Sequence, residues 1–582
     1  MEDPRKDRYD HQKIEAKWQK VWAHTKLDVA DIKSAKQPYY NLMMFPYPSA
    51  EGLHVGNMYA FTGSDIHGRF KRMQGYDVFE PIGLDGFGIH SENFALKIGR
   101  HPMDHAKMTE KHFYDQLHRI GAMFDFTRTL ETYDPEYYRW TQWLFIRLFK
   151  AGLAYRGKAM VNFCPSCKTV LSDEQVGDGK CERCGNEAEK RTLEQWFFRI
   201  TAYAEKLLGN IPSLKWSEVV KTAQTNWIGK KEGISISYPV VTEDGEKVGE
   251  VSCFTTRPDT NFGATFVVLA PEHEFVKMML KNREQIADNK EHEIVEYVEK
   301  ARQKSDQERI AGGKKKTGVF TGLYCVNPLN NYKMPLYISD FVLSGFGTGA
   351  VVGVPGHDKR DFQFAKAFEL PVKRVVVGKD GDTSPIIKEE QVQESEVTMV
   401  NSGFLEGMDS HEASVKMMDY LEEKGCGKRT VTYHLRDWLI SRQRYWGPPI
   451  PMIYCEHCAK EGKSWFTQQK SEDRKQKTEN PSSVLRSPSS DMHGWYPVPE
   501  DQLPVVLPRI DDYKPSSDGI APLSKHKEFF DTVCQCCEKP AVRETDVSDT
   551  FLDSSWYFLR YPSLQKTENG KSVFRHPSSV LH

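Results

Sequence analysis

Met44-Phe45-Pro46-Tyr47-Pro48-Ser49-Ala50-Glu51-Gly52-Leu53-His54-Val55-Gly56-Asn57 decides how this chain is read. An aromatic and apolar run, Tyr39–Met44, stops at Pro, Gly and His and gives way to helix-compatible sequence. That order predicts a strand, a tight turn and a helix N-terminus, the geometry that receives phosphate in an open α/β sheet. Glycine lets backbone come close to a nucleotide, and an exposed His54 can meet charge developing on a phosphate. Downstream, a second strand is expected to end in the Gly-rich turn Pro81–Asn93, which carries one buried carboxylate, Asp85. Asp134-Pro135 predicts a helix start, with Trp140, Leu144, Phe145 and Leu148 as its core face and Gly152 as its stop. Upstream, Ile14, Trp18, Val21 and Trp22 share one face of a helix over 10–24, expected to pack on a core.

The Gly-Leu-His-Val-Gly-Asn run resembles the HIGH signature of class I aminoacyl-tRNA synthetases, and Phe45-Pro46-Tyr47-Pro48-Ser49 resembles the leucyl version of it. The second His of that signature is Asn57 here. Asn57 can donate a hydrogen bond but carries no positive charge, which predicts weaker transition-state stabilisation or compensation elsewhere. By this resemblance His54 and Asn57 are the catalytic pair facing ATP. Met44, Phe45 and Tyr47 shape a leucine side-chain pocket, and Asp85 holds the α-ammonium. The chemistry suits those residue types: a branched aliphatic chain needs apolar walls, and an ammonium needs a desolvated carboxylate.

The 582 residues carry 79 Lys and Arg, 81 Asp and Glu, and a net charge of -2. A nucleic-acid binder with that balance must hold its positive charge in local patches. The charged start Met1–Arg8 and the lack of a long apolar run predict a cytoplasmic chain with no secretory signal and no membrane partner. Of the twelve cysteines, eight form CxxC pairs, which in such a chain read as metal ligands. Cys164, Cys167, Cys181 and Cys184 have the spacing of one structural Zn2+ site; Cys455, Cys458, Cys534 and Cys537 form a second, more widely separated set.

From about 233 to 425 the composition turns to β-type runs, such as Gly233–Tyr238 and Phe341–Pro355, interleaved with polar helices. The pattern of the N-terminal region returns at Thr432–Gly447, so one domain is inserted inside another. Phe254–Thr260 and Gly345–Phe362 resemble the editing domain of leucyl-tRNA synthetases, and Asn226–Lys230 resembles the hinge leading into it. The resemblance implies editing residues Thr255, Thr256, Arg257, Thr260, His357, Asp358 and Asp361. Thr255 would line the water site, Thr260 would block leucine by bulk, and Asp361 would anchor the ammonium of a mischarged amino acid. An apolar pocket separates side chains differing by one methylene only roughly 10–200-fold, hence the need for a second, hydrolytic sieve.

The fold class implied is α/β, with a Rossmann-like parallel-sheet catalytic domain, an inserted β-rich α/β editing domain and small zinc-knuckle modules. The expected division is: 1–160, first half of the catalytic domain; 161–190, a zinc-knuckle module; 191–232, a return segment and hinge; 233–425, the editing domain; 426–454 and 541–563, second half of the catalytic domain. Residues 455–540 form a cysteine-containing insertion, with 467–492 disordered, and 564–582 an atypical tail that repeats parts of 476–485. Arg442–Gly447 and Asp549–Tyr561 resemble segments bordering the active site, the second of leucyl type. The implied function is leucine–tRNA ligase with editing, using ATP with Mg2+, leucine and tRNA(Leu), in a monomer truncated before the KMSKS loop and the anticodon-binding domain. A completing C-terminal polypeptide is a further expected partner. The alternatives are an editing-only deacylase or tRNA-binding remnant, and a valyl or isoleucyl enzyme.

Overall fold

The computed structural model describes residues 10–48, 52–171, 175–177, 179–281, 290–303, 309, 316–343, 347–379, 381–394, 398–472, 492–516 and 519–564. The tail after 564, most of the expected disordered stretch, and Ser49–Glu51 lie outside them. The chain divides into two units: Met1–Ala202 with Asp437–His582, and Tyr203–Arg436. No described helix is long and apolar enough to cross a membrane.

The first unit opens with α1 (His11–Thr25), capped by Asp10 accepting from Lys13 N. It corrects the expectation of a core helix, since no residue of α1 is buried and Trp18 is 45% exposed. The helix is held by Gln19, which donates to the Arg119 carbonyl, and by Arg69, whose guanidinium lies 4.9 Å from the Trp22 ring. Next comes β1 (Pro38–Tyr40), shorter than the expected Tyr39–Met44 because Asn41 through Pro48 run irregularly. It pairs in parallel with β2 (Asp77–Phe79) across the helix α2 (Val55–Met73). Parallel pairing then continues as isolated bridges, Pro81 to Asp125 and Leu84 to Glu131.

After α3 (Ile89–Lys97) and α4 (Pro102–Ile120), α5 (Pro135–Lys150) starts as read, with Asp134 accepting from Glu136 N. Its buried stripe is Tyr137, Tyr138, Thr141, Gln142, Phe145, Ile146 and Phe149. Trp140, Leu144 and Leu148, expected as core, are only half-buried. The stripe is turned because α5 faces two returning segments at once. Thr141 donates to Asp553, and Gln142 donates to the carbonyls of Pro449 and Val505. An antiparallel sheet joins Trp438–Leu439, Glu189–Phe198, β3 (Ala154–Cys164) and β4 (Thr169–Leu171), so the returning chain extends a sheet begun before the insertion. Residues 465–472, partly expected to be disordered, form a helix in which Phe466 packs on Phe149 at 4.9 Å.

Among the described residues the second unit has a seven-stranded sheet in which Lys231–Val241 pairs with three strands, with a large apolar core that includes Ile236 and Leu336 and a smaller cluster around Phe266 and Phe364. Val319–Val326 alternates buried and half-buried residues along its length, the period-2 pattern of a strand with one face on a core. The unit's entry and exit strands pair with each other: Gly427–Thr432 runs antiparallel to Lys231–Ile236. Among the described residues, the expected β-run Phe341–Pro355 contains one strand, Ala350–Gly353. The glycines at 347 and 349 adopt positive φ, which interrupts strand geometry there.

Candidate functional site

His54 is the N-cap of α2. Its Nδ1 accepts from the Gly56 and Asn57 amides at 3.1 and 3.4 Å, and the Asn57 side-chain oxygen accepts from His54 N at 3.1 Å. The pair is a reciprocal capping box built from His and Asn. Because Nδ1 accepts, the neutral ring carries its proton on Nε2. Asn57, read as a donor, here spends its carbonyl as an acceptor. His54 is exposed at the start of the helix, where the helix dipole favours an anion.

A cavity of about 280 Å³ is lined by Tyr47, Asp85, Ile89, Trp446, Val547 and Phe551, among others, while His54 and Asn57 are not among its lining residues. Asp85 Oδ2 accepts from Ser554 Oγ at 2.5 Å and Oδ1 from Thr132 Oγ1 at 3.3 Å. Thr132 is itself oriented by accepting from the Gly86 and Phe87 amides. Desolvation, reinforced by Asp549, pushes the Asp85 carboxyl up to about 7. Tyr47 lies against Gly88, which has φ +120°; a Cβ there would fall 2.0 Å from the Tyr47 hydroxyl. Of the other pocket residues expected, Phe45 is buried and stacked on Tyr557 with centroids 4.2 Å apart, and Met44 is 63% exposed. Neither lines this cavity.

Arg442–Gly447 closes one side. Arg442 pairs with Asp549 at 2.5 Å and Arg444 with Glu92 at 2.9 Å, both buried. Arg444 also donates to Asn93 and to the Cys167 carbonyl. Trp446 donates to the Gly86 carbonyl at 2.8 Å. One returning segment thus grips the Gly-rich turn, α3 and the first cysteine knuckle. Sequence reasoning missed Glu92, Thr132 and Ser554. Ser554 sat inside a segment already singled out, but nothing in the one-dimensional pattern marked it as the partner of Asp85.

Both cysteine sets converge, with all four thiols of each within 4.8 Å of one another. Sγ separations are 3.4 Å for Cys164–Cys184 and 4.0 Å for Cys167–Cys181; they are 3.6 Å for Cys455–Cys537 and 3.8 Å for Cys458–Cys534. Tetrahedral zinc with bonds of about 2.3 Å sets sulfurs about 3.8 Å apart, so both donor sets fit the ion. Cys164, Cys167, Cys181 and Cys184 would hold one, and Cys455, Cys458, Cys534 and Cys537 the other. Four thiolates leave no open position, so each ion would clamp loops.

In the second unit, Thr255 ends a strand and its Oγ1 accepts from Arg257 N. Arg257 grips Asp259 through Nε and Nη2, at 2.7 Å for the closest contact, and Thr260, buried, donates to the Arg257 carbonyl. Thr256 is exposed. Asp358 caps the helix Lys359–Ala367 by accepting from the Arg360 and Asp361 amides. Asp361 is buried, accepts from Val354 N at 2.8 Å, and is pushed up to about 7 by desolvation and by Asp358. His357 donates through Nδ1 to the Gln393 carbonyl and accepts at Nε2 from the Val375 and Val376 amides. Burial lowers it to about 4. Both of its nitrogens are used by backbone, so it ties a loop together in the neutral form.

The family model described as "tRNA synthetases class I (I, L, M and V)" matches residues 16–239 and 412–496, and "Leucyl-tRNA synthetase, editing domain" matches 225–422. The chain is 46% identical over 554 residues to leucine–tRNA ligase of Thermotoga maritima, covering 95% of this chain and 61% of that protein. It is 45% identical over 564 residues to the enzyme of Caldanaerobacter subterraneus subsp. tengcongensis, covering 96% and 62%. The chain therefore spans about three fifths of the length of these relatives. A solved structure, the ternary complex of Agrobacterium radiobacter K84 agnB2 LeuRS with tRNA and LeuAMS, superimposes with a TM-score of 0.76 at 35% identity, covering 95% of this chain and 60% of that one. With the class I model matching more than half of its residues and the leucyl editing model matching the inserted region, the chain belongs to the class I tRNA synthetases of the I, L, M and V group.

Proposed function

We propose that the chain carries the two reaction centres of a leucine–tRNA ligase. The first unit activates leucine with ATP and Mg2+ and passes it to tRNA(Leu); the second hydrolyses mischarged tRNA. The observation that carries this is Asp85, a desolvated carboxylate that accepts from two hydroxyls and, among the described residues, forms no ion pair, in a cavity walled by Ile89, Trp446, Val547 and Phe551. An amino acid with an aliphatic side chain supplies the missing ammonium and the apolar surface together. Activation forms a bond between a leucine carboxylate oxygen and the ATP α-phosphorus and expels pyrophosphate. The protein's part is to place the two groups in line and stabilise charge. His54 offers Nε2 and the α2 N-terminus to phosphate, and Asn57 sets the ring by closing the cap. In the second unit, Thr255, Thr256 and Arg257 orient water and ester, Thr260 limits the pocket, Asp358 fixes the helix start, and Asp361 takes the ammonium. His357 holds the loop beneath them.

The protein acts in the cytoplasm as a monomer, and a polypeptide equivalent to the remaining length of the relatives supplies further cations to the triphosphate. Amino-acid titration of this chain tests the first centre. Leucine is expected to bind, with isoleucine and valine weaker by roughly 10-fold or more, and Asp85→Asn is expected to lose leucine. Equal affinity for the three would overturn the leucyl assignment. Deacylation of Ile-tRNA(Leu) tests the second centre. An untouched ester would remove the hydrolytic reading, and Thr260→Ala is expected to extend hydrolysis to Leu-tRNA(Leu).

A further inference from the structure

Arg183 lies between the third and fourth cysteines of the first knuckle, and its side chain lines the same cavity as Asp85 and Tyr47. The side chain is only 11% exposed. Its Nε and Nη1 are buried and, among the described residues, make no hydrogen bond. Among the described residues the carboxylate that pairs with it is Glu182, whose Oε1 is 3.7 Å from Nε and whose own side chain is 46% exposed. The other two guanidiniums lining the cavity are neutralised, Arg442 by Asp549 and Arg444 by Glu92. Arg183 also bears on its neighbours, its charge favouring the ionised Tyr47 phenol and disfavouring protonated His90. A buried guanidinium with unmade hydrogen bonds is costly unless something completes it. The knuckle supplies the rigidity to hold it there, because Cys181 and Cys184 flank it on both sides.

We propose that Arg183 is an oxyanion ligand of the activation site: the zinc knuckle carries a guanidinium to the substrate, opposite the carboxylate of Asp85. The cavity then recognises a zwitterion by both ends, the ammonium at Asp85 and an anionic oxygen group at Arg183. The group is the amino acid's carboxylate or the nucleotide phosphate that becomes joined to it; a guanidinium suits both. This rests on the amino-acid reading of the cavity. It also gives the first four-cysteine set a task beyond stability, since losing the metal would release the arginine.

Calorimetric titration of the full chain with leucine, leucinol and AMP, for wild type, Arg183→Ala and Arg183→Lys, tests it. Leucinol keeps the ammonium and side chain but has no carboxylate. Arg183→Ala is expected to weaken leucine or AMP roughly 10–100-fold while leucinol binds as in wild type, with Arg183→Lys intermediate. Loss confined to leucine assigns the carboxylate, and loss confined to AMP the phosphate. Removing metal from wild-type protein is expected to reproduce the Arg183→Ala titration. Unchanged affinity for both leucine and AMP, or an equal loss for leucinol, would overturn the assignment of Arg183. Wild-type protein that binds neither leucine nor leucinol would overturn the amino-acid reading itself, and this inference with it.

Discussion

At the residue scale, two buried carboxylates have the same electrostatic signature in separate units: Asp85 and Asp361 are both raised to about 7 by desolvation. An ammonium ligand needs the ionised form. Leucine affinity is therefore expected to be level above about pH 7.5 and to fall about tenfold for each unit below about pH 7, because binding must then also expel a proton. Titration calorimetry from about pH 5.5 to about pH 8 checks this, and Asp85→Asn should be weak and flat across the range. For Asp361 the same shift acts on folding. The folded state holds the proton more tightly than the unfolded state, whose carboxyl has the ordinary value of 3.8. The contribution is fully present below about pH 4 and is lost as pH rises through about 7. Asp361→Asn keeps an acceptor for Val354 N. It is expected to raise the melting temperature at about pH 8, to leave it nearly unchanged at about pH 4, and to abolish deacylation. Thermal scans at both pH values, paired with an ester-hydrolysis assay, separate those effects.

At the element scale, α2 depends on its start. His54→Ala removes the acceptor for two amides and is expected to cost about 1 kcal/mol of stability, read by chemical denaturation. It should also cost more in pyrophosphate exchange than that stability loss explains. Asn57→His, which adds a cation but removes the oxygen that accepts from His54 N, is expected to raise the exchange rate if charge matters more than the cap. Much of this architecture was legible in the sequence: the strand–turn–helix at 38–73, the Asp134-Pro135 start, both cysteine sets and the insertion. Those features are local or are fixed by residue chemistry. What the sequence misplaced was burial. Trp18 and Trp22 look like core residues, yet among the described residues Trp18 stays 45% exposed and Trp22 is only half-buried, under Arg69. The stripe of α5 is turned because Asp553 and Pro449, more than 300 positions away, claim Thr141 and Gln142. Periodicity finds a helix, but only the distant partner decides which side of it is inside. The same limit hid Ser554 and Thr132, the two hydroxyls that hold Asp85.

At the scale of the whole molecule, the first unit is built from two stretches of chain, and its centre is pinned by buried ion pairs, Arg444 to Glu92 across the two stretches and Arg442 to Asp549 within the second. Glu92 is buried and would be left uncompensated by Arg444→Met, a change expected to cost roughly 3–5 kcal/mol, against near neutrality for breaking a surface pair with Lys111→Met, which frees Asp115. Denaturant midpoints of the two variants make the comparison. Metal analysis is expected to give two zinc ions per chain, and chelation to destabilise the first unit while the core of the second keeps its melting transition. Fewer than one zinc per chain would remove both knuckle assignments.

The strands that enter and leave the second unit lie side by side, Lys231 opposite Thr432. To the rest of the chain, the roughly 200 intervening residues amount to a gap a few ångströms wide. Evolution, or an engineer, could cut that cassette out there and close the ends with a short linker, leaving the two proposed centres free to be gained, lost or exchanged one without the other.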